Sequence, residues 1–431
     1  MNNEKEHIST ETSLVMLWYY ISGGVIRMFC NPLCFCAVVC YCILILRLHE
    51  SMMQQFPFFA RLYTIVLPPC YIMGLALVIY LCGRPLVAGH VHNALFQAGI
   101  RNHAGEAPYL IKRQTRREKG TRIVTLKLYS PGITAAMMQD VQAQVEAALN
   151  AYVVNIRADK HINIILLDIV KATTALSTNE NWKSEYLSPE SFELALGRGL
   201  AGVKYIDLLV TPHILIGGST GSGKSILLKC LLIQGIAKNA KVYIADFKGG
   251  VDFGGNWENR CTMCYDLASL KTILSELLEE MQHRLTLLKM SGCPNIDAYN
   301  IYAGKNIPHC IFACDEVAEL LDKTGCSKEE KSEIDEIISD LSTIARLGRA
   351  FGLHLILATQ RPDANIIPGQ IKNNCDIRIC GRADQVLSQI ILDSSDAKER
   401  IPKNICGRFL AQDGEIFQGF YADFDHMLSN G

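Results

Sequence analysis

Net charge is what this sequence has least of: 42 Lys and Arg stand against 43 Asp and Glu, a formal charge of −1 over 431 residues. A chain-wide positive field is excluded, so any contact with nucleic acid must be local, in a groove or channel. An internal repeat and a long low-complexity segment are also missing, which excludes a repeat array. No basic start precedes the first apolar run; Glu4, Glu6 and Glu11 occupy it, and a second apolar run follows, so a cleavable signal peptide does not fit. Cys261 and Cys264 form a C-x-x-C with no second pair at zinc-finger spacing, which leaves little basis for a metal site there.

Long apolar runs, by contrast, are present. Arg27 and Arg47 bracket nineteen uncharged residues, and Arg61 and Arg84 bracket twenty-two. Each run is long enough, at about 1.5 Å per residue, to cross a bilayer as a helix. The reading is therefore a tail over 1–27 and two transmembrane helices within 28–84. Pro68 and Pro69 should kink the second helix. Residues 14–26 are apolar too and read either as an interfacial segment or as an extension of the first span. Arg84, Arg101 and the run from Ile111 to Gly120 are basic, whereas the loop from Leu48 to Ala60 has no Lys or Arg. That asymmetry predicts a multi-pass protein of the cell membrane with its C-terminal bulk in the cytoplasm. Residues 85–120 read as a basic tether, either a solvated charge run or a contact for lipid headgroups or nucleic acid. Over 121–190, strand-like runs around a helical one predict a small αβ domain. From 191 to 431 buried strands alternate with helices, the pattern of an α/β domain with a mainly parallel sheet and helices on both faces.

The most specific stretch is HILIGGSTGSGKS, residues 213–225. An apolar strand leads into the spacing G-x-x-x-x-G-K-S, and the apolar run from Ile226 to Ile236 reads as the helix behind it. Gly218, Ser219, Thr220, Gly221, Ser222, Gly223, Lys224, Ser225 and Ile226 then form a loop whose backbone N–H groups and helix dipole cradle phosphates. Lys224 reaches the outer phosphates of ATP, and Ser225 ligates Mg2+. Of the 17 cysteines, ten scatter through this half of the chain, which must meet cytosolic ATP, where thiols stay reduced; a disulfide framework is not expected.

Downstream, the apolar strand CIFAC ends in Asp315 and Glu316. Phosphoryl transfer to water needs one carboxylate for the metal and another to polarise the water, and adjacent acids at a strand tip supply both. LHLILAT ends in Gln360, which either senses the terminal phosphate or caps a loop. Residues 344–382 carry Arg346, Arg349, Arg361, Lys372, Arg378 and Arg382 against Asp363 and Asp376, whereas 315–340 carries ten acids and three lysines. Such polarity suits a ring whose positive edge meets a neighbour's site, or a basic channel wall.

These stretches together resemble the FtsK/SpoIIIE family of membrane-anchored DNA translocases over roughly Ser191 to Tyr421. The resemblance is carried by FELALGRGLAGVKYIDLLVTPHILIGGSTGSGKS, YIADFKGGVDF, EEMQHRLTLLKMSGCPNIDAYN, IFACDE and ARLGRAFGLHLILATQRPDANIIPGQIKNNCDIRICGR, with weaker similarity over 122–200. It implies a RecA-like P-loop motor sheet working as a homo-hexamer around DNA. By the same resemblance, Lys224 and Ser225 take the phosphate and magnesium positions, Asp315 and Glu316 the second motif, and Gln360 the sensor. One of Arg346, Arg349 and Arg382 would act in trans on a neighbour's phosphates, and Arg361 and Lys372 would approach DNA in the pore. Asp246 and Lys248 match a family D-x-K whose role does not follow from the sequence. The chain ends ten residues after Tyr421, where dividing-cell members carry a winged-helix reader. Two spans and one compact motor look more like the FtsK-type coupling proteins of conjugative plasmids and integrative elements. Relaxase and conjugation channel proteins are then the expected partners. Chromosome segregation, type VII-like protein export and a nucleotide-gated scaffold are the alternatives; the water-polarising Glu316 speaks against the scaffold, and the missing L-S-G-G-Q against an ABC transporter.

Overall fold

Apolar segments become helices because every backbone N–H and C=O must find its partner within the segment when water is excluded. The computed structural model describes residues 10–55, 58, 60–118, 121–171, 176–190, 192–361 and 367–429. Residues 1–9 of the expected tail, 119–120 of the expected tether and Ser191 lie outside the described residues. Three helices open the chain, Thr10–Cys30, Pro32–Gln55 and Ala60–Gly83, each long and apolar enough to cross a membrane by length and composition. The second and third of these lie within 28–84, where two helices are expected, and the first covers most of the expected tail and ends at Cys30. The first apolar run is split at Asn31 because Pro32 brings no N–H, and Leu33 N–H turns to the Asn31 side chain at 3.0 Å. Helical bonds persist on either side, Asn31 N–H to Arg27 O at 2.8 Å and Phe35 N–H to Asn31 O at 3.1 Å. Residues 14–26 accordingly lie within the first helix, ahead of the break at Asn31. That helix packs antiparallel on the third, Gly24 against Ile79 and Gly83 against Tyr20. The same helix reaches the fold that follows the three helices: Tyr20 Oη donates to Leu110 O at 2.9 Å.

That unit begins within the stretch read as a tether. Helix Ala88–Gln97 and strand β1, Tyr109–Glu118, join β2 (Thr121–Tyr129), β3 (Ala151–Ala158) and β4 (Ile164–Lys171) in an antiparallel sheet of order β1-β2-β4-β3. Val91, Leu95 and Leu110 are buried with Leu126, Val145 and Leu167. Lys112, Arg113, Arg116 and Arg117 are exposed on β1. The charge run lies along a paired strand, exposed on both of its faces, rather than in a linker.

The chain divides at 174/175, earlier than the expected 190/191. Residues 176–190 belong to the second unit: β5 (Glu180–Asn181) pairs with β15 (Ile416–Tyr421), and Tyr186 stacks on Phe420 with centroids 4.5 Å apart. The second unit's sheet also contains β6 (Glu193–Gly199), β7 (Gly202–Asp207), β8 (Ile214–Gly217), β9 (Lys241–Ala245), β10 (Thr262–Cys264), β11 (Cys310–Cys314), β12 (Leu353–Thr359), β13 (Ile377–Cys380) and β14 (Arg408–Ala411). The order is β10-β9-β11-β12-β8-β13-β14-β15-β6-β7. From β10 to β13 the strands are parallel; from β13 to β7 they are antiparallel. Successive residues point to opposite faces, so Phe312, Leu355 and Leu357 meet helices Leu267–Ser291 and Lys328–Phe351, while Ile311, Ile356 and Ala358 join the layer of helix Lys224–Ala237. In this parallel register the C-terminal tips of β8, β9, β11, β12 and β13 come together at one edge.

Candidate active site

The phosphate loop leaves the tip of β8, the strand between β12 and β13. Gly221 and Gly223 adopt positive φ, 72° and 96°, which a side chain would oppose. Gly218 N–H donates to Thr359 O at 3.2 Å and Ser219 N–H to Arg382 O at 2.7 Å, tying the loop to both neighbouring strand tips. The helix begins at Lys224, so its first N–H groups face the loop's concavity.

Asp315 stands one strand beyond β12, and its carboxylate collects the cations. Lys224 Nζ donates to its Oδ1 at 2.8 Å and its backbone O at 2.6 Å, Ser225 Oγ donates to Oδ1 at 3.0 Å, and Lys248 Nζ donates to Oδ2 at 2.9 Å. Burial alone would push the Asp315 carboxyl upward, but the charges and hydrogen bonds of Lys224 and Lys248 outweigh it and hold the group below its ordinary value. A hydroxyl and a carboxylate oxygen 3.0 Å apart at a helix start are hard ligands of the kind Mg2+ takes.

Glu316 is buried, and both of its oxygens are engaged: Thr359 Oγ1 donates to one at 2.7 Å and Gln360 N–H to the other at 3.0 Å. The side chain of Gln360 turns the other way, its Oε1 accepting from Thr220 Oγ1 at 2.9 Å. Gln360 thus touches the phosphate loop with one group and Glu316 with another. Beside the helix start, a cleft of about 280 Å³ lies between Gly223, Ile226 and Leu227 on one side and Cys406, Phe409 and Phe420 on the other. Its apolar walls suit a planar base.

The structure therefore brings together loop residues 218–226, Asp315, Glu316 and Gln360. Arg382 joins them from within the same chain: Nε donates to Ser219 Oγ at 3.2 Å, one terminal nitrogen to Thr220 O at 2.6 Å and the other to Lys403 O at 2.8 Å. Within the chain Arg382 is thus held by its own phosphate loop, as Arg349 is held by Leu209 O at 3.1 Å. Arg346 and Arg349 are exposed on the last two turns of helix Lys328–Phe351, which runs into the start of β12 at the far end of the strands. Arg361 leaves the tip of β12 and pairs with Asp322 at 3.2 Å, and Lys372 pairs with Asp393 at 2.7 Å. Burial pushes the thiols of Cys261 and Cys264 up to about 12, with Asp266 adding to the shift at Cys264, as befits packed rather than reactive sulfurs. Lys248 and Asp252 were not among the expected site residues. The signal for them was the D-x-K-x-x-x-D spacing directly after a buried strand.

Comparison with known proteins follows the same boundaries. The FtsK/SpoIIIE family model matches residues 176–364. The solved structure of the pCW3 conjugation coupling protein TcpA, a monomer form with ATPγS, is 33% identical, with a TM-score of 0.58 over 80% of this chain and 98% of TcpA. The chain belongs to the FtsK/SpoIIIE family. Other FtsK/SpoIIIE members it resembles are the DNA translocases FtsK of Helicobacter pylori, 33% identical over 232 residues, and of Campylobacter jejuni, 30% identical over 226. These matches cover 49% of this chain but only 25% and 23% of the relatives, so the chain spans about a quarter of their length. The FtsK/SpoIIIE motor fold, a P-loop ATPase with a mixed, mostly parallel sheet, is thus present here behind apolar helices and a small antiparallel sheet.

Proposed function

We propose that this chain is a membrane-anchored, ATP-dependent DNA translocase that serves conjugative transfer as a coupling protein. One observation carries the conjugative part. The likeness to TcpA extends over 80% of the chain, more than the 175–431 unit contains, so it reaches into the small unit; the FtsK relatives match over 49%. Chemistry then follows from the strand tips. Lys224 would hold the outer phosphates, and Ser225 with Asp315 would hold Mg2+, which would supply charge neutralisation when bound. Glu316 accepts a proton from the attacking water as the bond from the terminal phosphorus to its bridging oxygen breaks. Gln360 links the phosphate loop to Glu316, so displacement of the loop by a triphosphate is felt at the carboxylate that polarises water. Six copies form a ring, one of Arg346, Arg349 and Arg382 faces a neighbour's phosphates, and Arg361 and Lys372 approach DNA in the pore.

The anchor is read as a hairpin of the second and third helices. The first helix keeps its N-terminal half on the small unit through Tyr20 and Leu110, and the basic residues Arg84, Arg101 and Lys112 to Arg117 mark the cytoplasmic side. The test is ATP hydrolysis by the full chain in detergent, with and without DNA, using Lys224→Ala as the control. Single- or double-stranded DNA raises the rate severalfold; no stimulation by either form overturns translocation. Loss of DNA transfer to recipient cells on deletion of the gene separates conjugation from chromosome segregation.

A further inference from the structure

The loop after β9 carries an ammonium group that the reading above leaves without a task. Lys248 Nζ lies 2.9 Å from Asp315 Oδ2, opposite the oxygen that Lys224 occupies, and 2.9 Å from Asp252 Oδ2. Asp246 accepts the Lys248 backbone N–H at 3.0 Å, while Gly249 and Gly250 follow at φ 73° and 81°. The residue is thus displayed on a tight turn whose shape depends on two glycines. Two lysines on one carboxylate stand no farther apart than that carboxylate and two hydrogen bonds. A phosphate-loop lysine marks the β,γ end of a bound triphosphate, so Lys248 stands within a side chain's length of the terminal phosphate. The two differ in freedom: Lys224 is 6% exposed, whereas the side chain of Lys248 is 32% exposed, and its second partner, Asp252, is 30% exposed.

We infer that Lys248 is a second cation for the terminal phosphate, passed between the acids Asp252 and Asp315 and the γ-phosphoryl oxygens. Its ammonium group answers to the one group that distinguishes ATP from ADP. The 246–252 turn thereby reports the nucleotide state to the sheet edge, where β9 lies between β10 and β11. This rests on the nucleotide reading of Lys224.

The test compares Mg2+-dependent binding of fluorescent ATPγS and ADP to the full chain in detergent micelles. Wild type prefers the triphosphate. Lys248→Met lowers that preference about tenfold or more while ADP affinity stays within about twofold, the loss of one charge-assisted contact. Lys248→Arg keeps most of the preference, and Lys248→Gln, closer in polarity, repeats the Met result if the Met variant does not fold. Equal loss of both nucleotides in Lys248→Met and Lys248→Gln, an unchanged preference, or a wild type indifferent to the γ-phosphate overturns the inference. A wild type that binds neither nucleotide overturns the nucleotide reading itself, and this one with it.

Discussion

Asp315 and Glu316 are neighbours in sequence with separate tasks, because successive residues at a strand tip face opposite ways. The first gathers Lys224, Ser225 and Lys248; the second is held by Thr359 and the Gln360 backbone. Glu316→Gln is expected to slow hydrolysis by about 10²–10⁴-fold, the usual worth of a general base, with fluorescent ATP binding retained. The amide also sets an NH2 group against a donor at one of the two positions, so a drop in thermal stability of about 1 kcal/mol should accompany it. Lys224, Ser225, Asp315 and Glu316 were legible from sequence since each sits in a short motif next to its own strand. Lys248 was legible only as part of a motif without a role, and Arg382 only as one of three candidate arginines. Their contacts, to Asp315 and to Ser219 and Thr220, span 67, 163 and 162 residues and exist only because β9 lies beside β11 and β13 beside β8.

Among the elements, the apolar helices and β8 make the sharpest demands. A Cβ on Gly83 would stand 1.7 Å from Tyr20 O, and one on Gly24 would stand 1.9 Å from Ile79 O. Gly83→Val should therefore force the first and third helices apart at a cost of about 1–3 kcal/mol or more, read as a lower melting temperature of the full chain in micelles. His213, just before β8, is fully buried, and burial depresses its pKa to about 4. The unfolded chain then binds the extra proton between about 6.5 and 4, so stability is complete above this window and falls as pH drops through it. About 2 kcal/mol should be lost between pH 6.5 and 5 from this residue alone. In His213→Gln, which keeps an acceptor for Leu355 N–H, the melting temperature should depend less on pH over that range. Apolar length told that helices would form at the start of the chain, but a proline at position 32 decided where they broke. On β1 the charges hid a strand, because its pairing with β2 is made by the backbone.

For the molecule as a whole, the basic stretch 344–382 reads differently once folded. Arg361, Lys372 and Arg378 pair with Asp322 and Asp393 of the same chain, and Arg382 serves the phosphate loop. Its excess positive charge is largely spent internally, so a pore contact for Arg361 or Lys372 must exchange one anion for another. Arg361→Ala with Lys372→Ala is expected to weaken DNA binding alike for all sequences and to reduce the slope of log K against log salt by about 1 per lost phosphate contact. Mass measurement of the detergent-solubilised chain with ATP and DNA should give six copies; a persistent monomer under both would remove the ring. From the residues alone followed the long apolar helices, the phosphate loop, its paired acids and the family likeness, since each depends on spacing within one turn, strand or apolar run. Folding alone decided which strands are neighbours, that the expected tether holds a helix and a paired strand, that residues 176–190 belong to the second unit and which lysines share Asp315. Those depend on hydrogen bonds and burial between segments far apart in the chain, and local periodicity carries no record of them.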